Sequence, residues 1–473
     1  MRGHFIGGSW REGAGAFETR NPSATSEVVE AYADGGAAEV SEAVQAAQAA
    51  APRWAATTPQ QRFNVLDAAG TEILARQAEL GRLLAREEGK TLPEALGEVG
   101  RAGQIFKFFA GEALRLAGLR VDSVRPGIEV DTRLEPLGLV GLITPWNFPI
   151  AIPAWKTAPA LAFGNAVVLK PSEVAPGCAW ALAEILSRAG LPEGAFNLVL
   201  GGARAGKALA EHPAIDGLSF TGSVAVGRSV AAACSARLAR CQLEMGGKNP
   251  LVVLDDADLD VAVNAALQGA FFSTGQRCTA SSRLVVTEGV HDRFVAALAA
   301  RMQALRVGDA LETGVDIGPA VDARQFRKDL DYVGIGRDEG ARLLQGGEDL
   351  GGPGHFLSPA LFTETTNAMR LNREEAFGPI AGVIRVRDYE EALAVANDTE
   401  FGLVAGICTT SLRQAMHFRR AAQAGMVMVN LPTAGVDYHV PFGGRKGSSC
   451  GPREQGAAAR DFYTVTKTCY TQG

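Results

Sequence analysis

Cys278 stands in GAFFSTGQRCTASSR, the segment from Gly269 to Arg283, among glycine, threonine, serine and glutamine, with Arg277 directly before it. A cysteine kept for packing belongs in an apolar run. This one has small polar neighbours, backbone freedom and an adjacent cation that favours the thiolate, the form that attacks carbon. The pattern admits a nucleophile and, equally, an inert small residue. Glu244 ends the apolar run CQLEMGG and is followed by Gly246 and Gly247. At the carboxyl end of an interior strand it would face the crevice where α/β enzymes bind ligands, and burial there would suit it to general-base work; on an open strand it would be a solvated charge. Asn147, in LITPWNFPIAIPAWK, lies between Trp146 and Phe148 in a proline-rigid turn, as a turn former or as a fixed amide donor to an oxyanion. SFTGSVAVG is not a GxGxxG motif, yet Gly222 and Ser223 at a helix amino terminus would leave N–H groups free for an anion. VVLKPSE ends a strand with Lys170 and Glu173, a pair that could hold ribose hydroxyls or simply meet water.

The elements that must position these residues follow from periodicity. Amphipathic helices are predicted near residues 38–50, 60–88 and 94–116. GLRVDSVRPGIEVDTRLEPLG alternates around Pro126-Gly127 and predicts a β-hairpin. From Leu139 onward the apolar runs GLVGLIT, NAVVLKP, FNLVLGG, GLSFTGS and CQLEMGG alternate with helical patterns, which predicts right-handed crossovers and a parallel sheet covered on both faces. NPLVVLDD, SRLVVTE, GPIAGVIRVRD and MVMVN predict a second sheet, with helices near 259–269 and 290–305. DFYTVTKTCYT predicts an edge strand, the kind of element that pairs with another chain.

Composition narrows the class. The 473 residues exceed what one core usually supports, so two or three domains are expected. A net charge of -6 leaves no basic footprint for nucleic acid. Seven cysteines without a CxxC pair do not form a disulfide framework, and MRGHFIGGSWREGAG lacks the apolar core of a secretory leader, so a cytoplasmic protein is expected. Pro145, Pro149 and Pro153 interrupt the apolar stretch from Leu137 to Trp155, so no membrane span is predicted there. No metal site is predicted.

Taken together, TPWNFP, LKPSE, FTGS, LEMGGK, GQRC, EEAFGP and PFGGRKGSS, in this order and spacing, resemble the NAD(P)-dependent aldehyde dehydrogenases over nearly the whole chain. The resemblance implies an α/β fold with a Rossmann-like cofactor domain (1–117 and 138–246), an α/β catalytic domain (247–446) and a small β oligomerisation segment (118–137 and 454–473), in a homodimer or homotetramer. It implies Cys278 as nucleophile, Glu244 as the base that activates water and Asn147 as oxyanion donor. Cofactor contacts are implied at Thr144, Pro145, Trp146, Lys170, Ser172, Glu173, Phe220, Thr221, Gly222, Ser223, Gly246, Glu375 and Phe377. NAD is expected in preference to NADP, because the Glu173 carboxylate accepts from both ribose hydroxyls and repels a 2′-phosphate.

For the substrate, Arg101 and Arg277 are the candidates to grip a distal carboxylate, with Gln104 assisting. Phe148, Ile152, Trp155 and Val436 are expected to wall the tunnel. NLPTAGVDYHVPFGGRKGSSCGPREQG and FPIAIPAWK resemble the subgroup that oxidises α-ketoglutaric semialdehyde (2,5-dioxopentanoate) to 2-oxoglutarate. The alternatives are succinic or glutaric semialdehyde, a broad range of aldehydes, transfer of the acyl group to CoA, and a catalytically silent structural member.

Overall fold

The computed structural model describes residues 1–13 and 15–473. Its first sheet has eight strands, whose five inner members are parallel and ordered Arg240–Glu244, Gly217–Thr221, Leu139–Ile143, Ala166–Lys170, Phe196–Leu198. The first of these in the chain, Leu139–Ile143, lies in the middle. The chain therefore leaves it in both directions, and a crevice opens between it and Gly217–Thr221, where α/β sheets bind ligands. Both Leu139–Ile143 and Ala166–Lys170 are buried at every residue, as strands covered on both faces must be. The turn holding Asn147 and the Gly222-Ser223 step leave the two strands on either side of that crevice. Short antiparallel strands close the edges, Ser449–Cys450 beside Arg240–Glu244 and His4–Ile6 beside Phe196–Leu198.

A second sheet of seven strands runs in the order Arg342–Gln345, Ala360–Thr365, Ile380–Val386, Arg283–Thr287, Pro250–Val253, Val404–Cys408, Met426–Val429, parallel except for its first pair. The predicted hairpin forms from Arg120–Asp122 and Ile128–Pro136. The last strand, Thr464–Gln472, pairs with Ile128–Pro136 along its whole length and leaves its other edge open.

Two features depart from the sequence reading. The helix expected over 60–88 is two helices, Pro59–Ala75 and Gln77–Glu88, broken at Arg76, whose guanidinium pairs with Glu72, Glu79 and Glu184. A single non-helical residue barely disturbs the apolar period. Before the first helix, the hairpin Gly15–Asn21 with Ala24–Asp34 is largely half-exposed and polar and gives little signal, and the buried strand His4–Ile6 is too short to show a period. The Leu137 to Trp155 stretch is a strand, a proline turn and the start of the helix Ala151–Ala162. No helix of the described residues is long and apolar enough to cross a membrane.

Candidate active site

The helix Leu259–Phe271 ends in a tight turn whose residues Ser273, Thr274 and Gly275 all have positive φ, 51°, 56° and 65°. Such a run is strained, and it persists because its surroundings fix it. Gly275 can only be glycine, since a Cβ there would stand 2.2 Å from the Gly378 carbonyl oxygen. Beyond the turn, Asn249 Nδ2 donates to the carbonyls of Cys278 (2.8 Å) and Ala280 (2.9 Å), and the Val321 N–H donates to Gln276 Oε1 at 3.0 Å. The loop, small and polar in sequence, is tied down at both sides of the cysteine.

Cys278 sits where two cavities meet. One, of about 330 Å³, is lined by Arg101, Phe148, Ile152, Trp155, Arg277, Val436 and Phe442 together with Lys90, Glu94 and Glu98. The other, of about 190 Å³, opens on the crevice of the first sheet and is lined by Pro145, Trp146, Asn147, Thr221, Gly222, Ser223, Gly246, Glu375 and Phe377. Cys278, Ile152 and Thr221 belong to both. Trp146 and Phe377 meet edge to face, 5.5 Å apart, across the second cavity. A reactant in the first and a planar acceptor in the second would thus approach one sulfur from two sides.

Asn147 is buried, and its Nδ2 donates to the Gln276 carbonyl at 3.0 Å, which leaves its second N–H for the cavity. Its own carbonyl accepts from Lys90 Nζ at 2.7 Å. Glu98 binds the same lysine through Oε2 (2.7 Å) and accepts the backbone N–H of Ile150 and of Ala151 at Oε1, both at 3.1 Å. This buried pair fixes the whole turn from 147 to 151.

Burial, followed by the negative charges of Glu375 and Glu244, pushes the Cys278 thiol up to about 12. The expectation that Arg277 would ionise it does not hold. Glu94 faces that arginine from the opposite helix, and the guanidinium turns to its carboxylate (2.9 Å) and to Ser273 Oγ (2.7 Å). Glu244 is buried, and its carboxyl is raised well above the usual range by burial and then by Glu454, against the pull of Ser449. It lines neither cavity. Its Oε2 accepts from Ser449 Oγ at 2.5 Å and its Oε1 from Gln242 Nε2 at 3.3 Å.

The remaining expected contacts divide. Lys170 is buried, donating to the Gly201 carbonyl at 3.0 Å with Glu173 3.8 Å away, and Glu173 opens onto a separate, larger cleft beside Gly202. Ser172 Oγ accepts the Val174 N–H within its own turn. Phe220 is buried beneath Gly222, a packing position rather than a lining one. Gln104 lies away from the cavity and is exposed. Helical side chains lean toward the amino terminus, so the turn that joins Arg101 at the cavity is the preceding one, with Gly97 and Glu98. Sequence reasoning missed Lys90, Glu94 and Glu98 at the first cavity and Met245, Gln325 and Lys328 at the second. The charged residues of REEGKTLPEALGEV and RQFRKDLD read as solvated helix faces, and only tertiary packing turns them inward.

A family model for the aldehyde dehydrogenase family matches residues 10–469. The α-ketoglutaric semialdehyde dehydrogenase of Bacillus subtilis is 42% identical over 99% of this chain and 98% of its own length. The α-ketoglutarate semialdehyde dehydrogenase of Haloferax volcanii is 44% identical with the same coverage of both. The crystal structure of Staphylococcus aureus betaine aldehyde dehydrogenase in complex with NAD+ superposes with a TM-score of 0.97 at 31% identity, covering 100% of this chain and 95% of that one.

Proposed function

The chain belongs to the aldehyde dehydrogenase family, and we propose that it oxidises an aldehyde bearing a distal carboxylate, α-ketoglutaric semialdehyde, to 2-oxoglutarate with NAD. The observation that carries the substrate class is the charge of the first cavity. Of its three cations, Lys90 is paired with Glu98 and Arg277 with Glu94. Arg101 makes no ion pair within 4 Å among the described residues. Its guanidinium donates to the neutral Gln455 Oε1 at 3.1 Å and lies 5.8 Å from the Trp155 ring, while its buried Nε has no partner. Glu98 and Asp437 act on it only at longer range, and burial lowers its pKa. A half-buried guanidinium without a counter-ion is costly, and a substrate carboxylate supplies the missing partner. The same charge disfavours the quaternary ammonium of betaine aldehyde, and the two relatives in which α-ketoglutaric semialdehyde is the substrate support the choice among dicarboxylic semialdehydes.

The second cavity fits a nicotinamide cofactor. The hydroxyl of Thr221 is buried there without a partner, and the helix Val224–Ala236 presents its amino terminus, capped by Ser223, at the cavity wall; Thr144, buried with an unpartnered hydroxyl of its own, is not among the lining residues. Trp146, Glu375 and Phe377 would hold the nicotinamide end, Lys170 and Glu173 the adenosine ribose, and the exposed Glu173 carboxylate favours NAD over NADP. When bound, the cofactor supplies the hydride acceptor.

The chain's own residues do the rest. Cys278 gives its proton to a base and adds through sulfur to the aldehyde carbon, and the free Asn147 N–H holds the oxyanion of the resulting thiohemiacetal. An oxyanion donor of this kind contributes about 2.7–4 kcal/mol of barrier lowering. Departure of hydride from that adduct leaves a thioester on Cys278. Glu244, turning about its side-chain torsions from Ser449 toward the cavity, takes a proton from water, the hydroxide adds to the thioester carbon, and the carboxylic acid leaves as the sulfur regains its proton.

The test is kcat/KM for α-ketoglutaric, succinic and glutaric semialdehydes and an uncharged aldehyde of like length, in the wild type and Arg101→Met. Losing one charge-assisted contact costs about 1.5–3 kcal/mol, roughly ten- to a hundred-fold in kcat/KM, for the carboxylate substrates alone. Equal efficiency on the uncharged aldehyde, or an equal loss across the panel, removes the carboxylate reading.

A further inference from the structure

Asp329, on the helix Ala323–Asp338, is wholly shielded from solvent. Its Oδ1 accepts from Gln325 Nε2 at 2.7 Å, and its Oδ2 has no hydrogen-bond partner among the described residues. The same Gln325 nitrogen also faces two backbone carbonyls, Ala376 at 3.1 Å and Phe377 at 3.2 Å. Those carbonyls belong to the turn that carries Glu375 and Phe377 into the second cavity, where Gln325 itself is part of the wall. Phe377 holds φ at 65°, a left-handed conformation that a bulky residue keeps only where its surroundings over-determine it. The next residue, Gly378, is wedged. A Cβ there would stand 2.1 Å from Asp329 Oδ1, and on its other side the Gly378 carbonyl presses on Gly275 of the cysteine loop.

We propose that Asp329 is a positioning residue for the cofactor cavity: while protonated it leaves the Gln325 amide on the Ala376 and Phe377 carbonyls, and loss of its proton draws that amide away and loosens the turn bearing Glu375 and Phe377. This rests on the reading of that cavity as the nicotinamide site. An amide nitrogen has two hydrogens, and here it has three acceptors. A neutral carboxyl competes weakly with two backbone carbonyls. A carboxylate competes strongly, since charge-assisted hydrogen bonds are roughly twice as strong. The charge would also be buried with one oxygen unpaired, which favours any rearrangement that admits water.

The surroundings favour the protonated form near neutral pH. Burial pushes Asp329 up to about 8, against the Gln325 hydrogen bond and the positive charge of Lys328, with Asp322 adding to the rise. Lys328 and Asp322 are the charged groups that bear on it, and the turn packed against it offers backbone atoms. Glu375, carried by that turn, and Lys248 act on each other, and Lys328 acts on Glu375 as well. Comparison with a variant at position 329 alone leaves their titration in common.

The experiment is calorimetric titration of the wild type and Asp329→Asn with NAD from about pH 7 to about 9.5, beside infrared difference spectra of the two proteins without ligand. In the wild type the dissociation constant is expected to rise several-fold across this range, bounded by about ten-fold per pH unit above the Asp329 pKa. In the variant the same plot is expected to be flat relative to it. The wild-type-minus-variant difference is expected to carry one protonated-carboxyl band, which disappears over the same range. A constant wild-type dissociation constant, parallel pH profiles in the two proteins, or no such band overturns the proposal while leaving the cofactor reading intact. A wild type that binds no NAD at any pH overturns the cofactor reading first, and this proposal with it.

Discussion

At the scale of single residues the site is built from groups held in the wrong protonation state for chemistry at rest. The Cys278 thiol is pushed up to about 12 by burial and by Glu375 and Glu244, and the Glu244 carboxyl is itself well above its usual range. A base of raised pKa is a stronger base, and one lying near the thiol is matched to the proton it must accept. The sign of the pH dependence follows. The thiol must lose its proton for the addition that kcat/KM reports, and Glu244 its own for the later hydrolysis, so each step's competent fraction grows as pH rises through neutrality. We expect log kcat/KM to climb between about pH 6 and about 9 with a slope approaching 1, and alkylation of Cys278 by iodoacetamide to accelerate in parallel. Cys278→Ala should abolish aldehyde-dependent NADH production. A profile that is flat or falls toward alkaline pH would show that another group, such as Arg277 released from Glu94, ionises the thiol.

At the scale of elements, what positions the chemistry is partly legible in sequence. Buried parallel strands write themselves as unbroken apolar runs, so the strands ending at Ile143, Thr221 and Glu244, and with them the crevice, follow from GLVGLIT, GLSFTGS and CQLEMGG. Packing between helices does not write itself this way. Nothing local to Arg277 announces that Glu94, 183 residues away, will capture it, or that the Lys90–Glu98 pair will bind the turn of Asn147 rather than face water. That pair makes a test of element-level positioning. Lys90→Met leaves the Glu98 carboxylate buried without its cation, a loss of about 3–5 kcal/mol in stability. The double variant Lys90→Met/Glu98→Leu removes the stranded charge and should recover part of the urea midpoint, short of the wild type because backbone groups that the pair bonded are left unpartnered. It should not recover kcat, because the Asn147 carbonyl and the Ile150 and Ala151 N–H groups all lose their partners. Full recovery of kcat with stability would mean that the pair serves packing alone.

At the scale of the whole molecule, the buried charges give the protein an unusual balance. Surface carboxylates such as Glu79, held down by Arg76, and Asp398, held down by Arg373, lie below their ordinary range, and the stability they contribute is lost as pH falls through those depressed values. Interior carboxyls run the other way. Burial pushes Glu87 and Glu88 up to about 7 from 4.5, and Asp329 up to about 8 from 3.8. The native state therefore holds protons that the unfolded chain has released, so their contribution is complete below the unfolded values and disappears as pH climbs through 7 and 8. Lys248 is lowered to about 7 from 10.5, by burial first and then by Arg283. Buried neutral, it restores stability between about 7 and 10.5, where the unfolded chain still carries the proton. Below pH 7 the interior acids outweigh the interior bases, so melting temperature should peak near about pH 5, decline toward neutrality, and level or recover in mild alkali. Differential scanning calorimetry across that range checks the sign. Glu87→Gln, which keeps an acceptor for the Thr19 and Tyr32 hydroxyls but cannot titrate, should make the decline shallower. A melting temperature that rises steadily from pH 5 to 7 would mean that these acids are ionised in the native fold, stabilised by water or movements that their tight enclosure does not suggest.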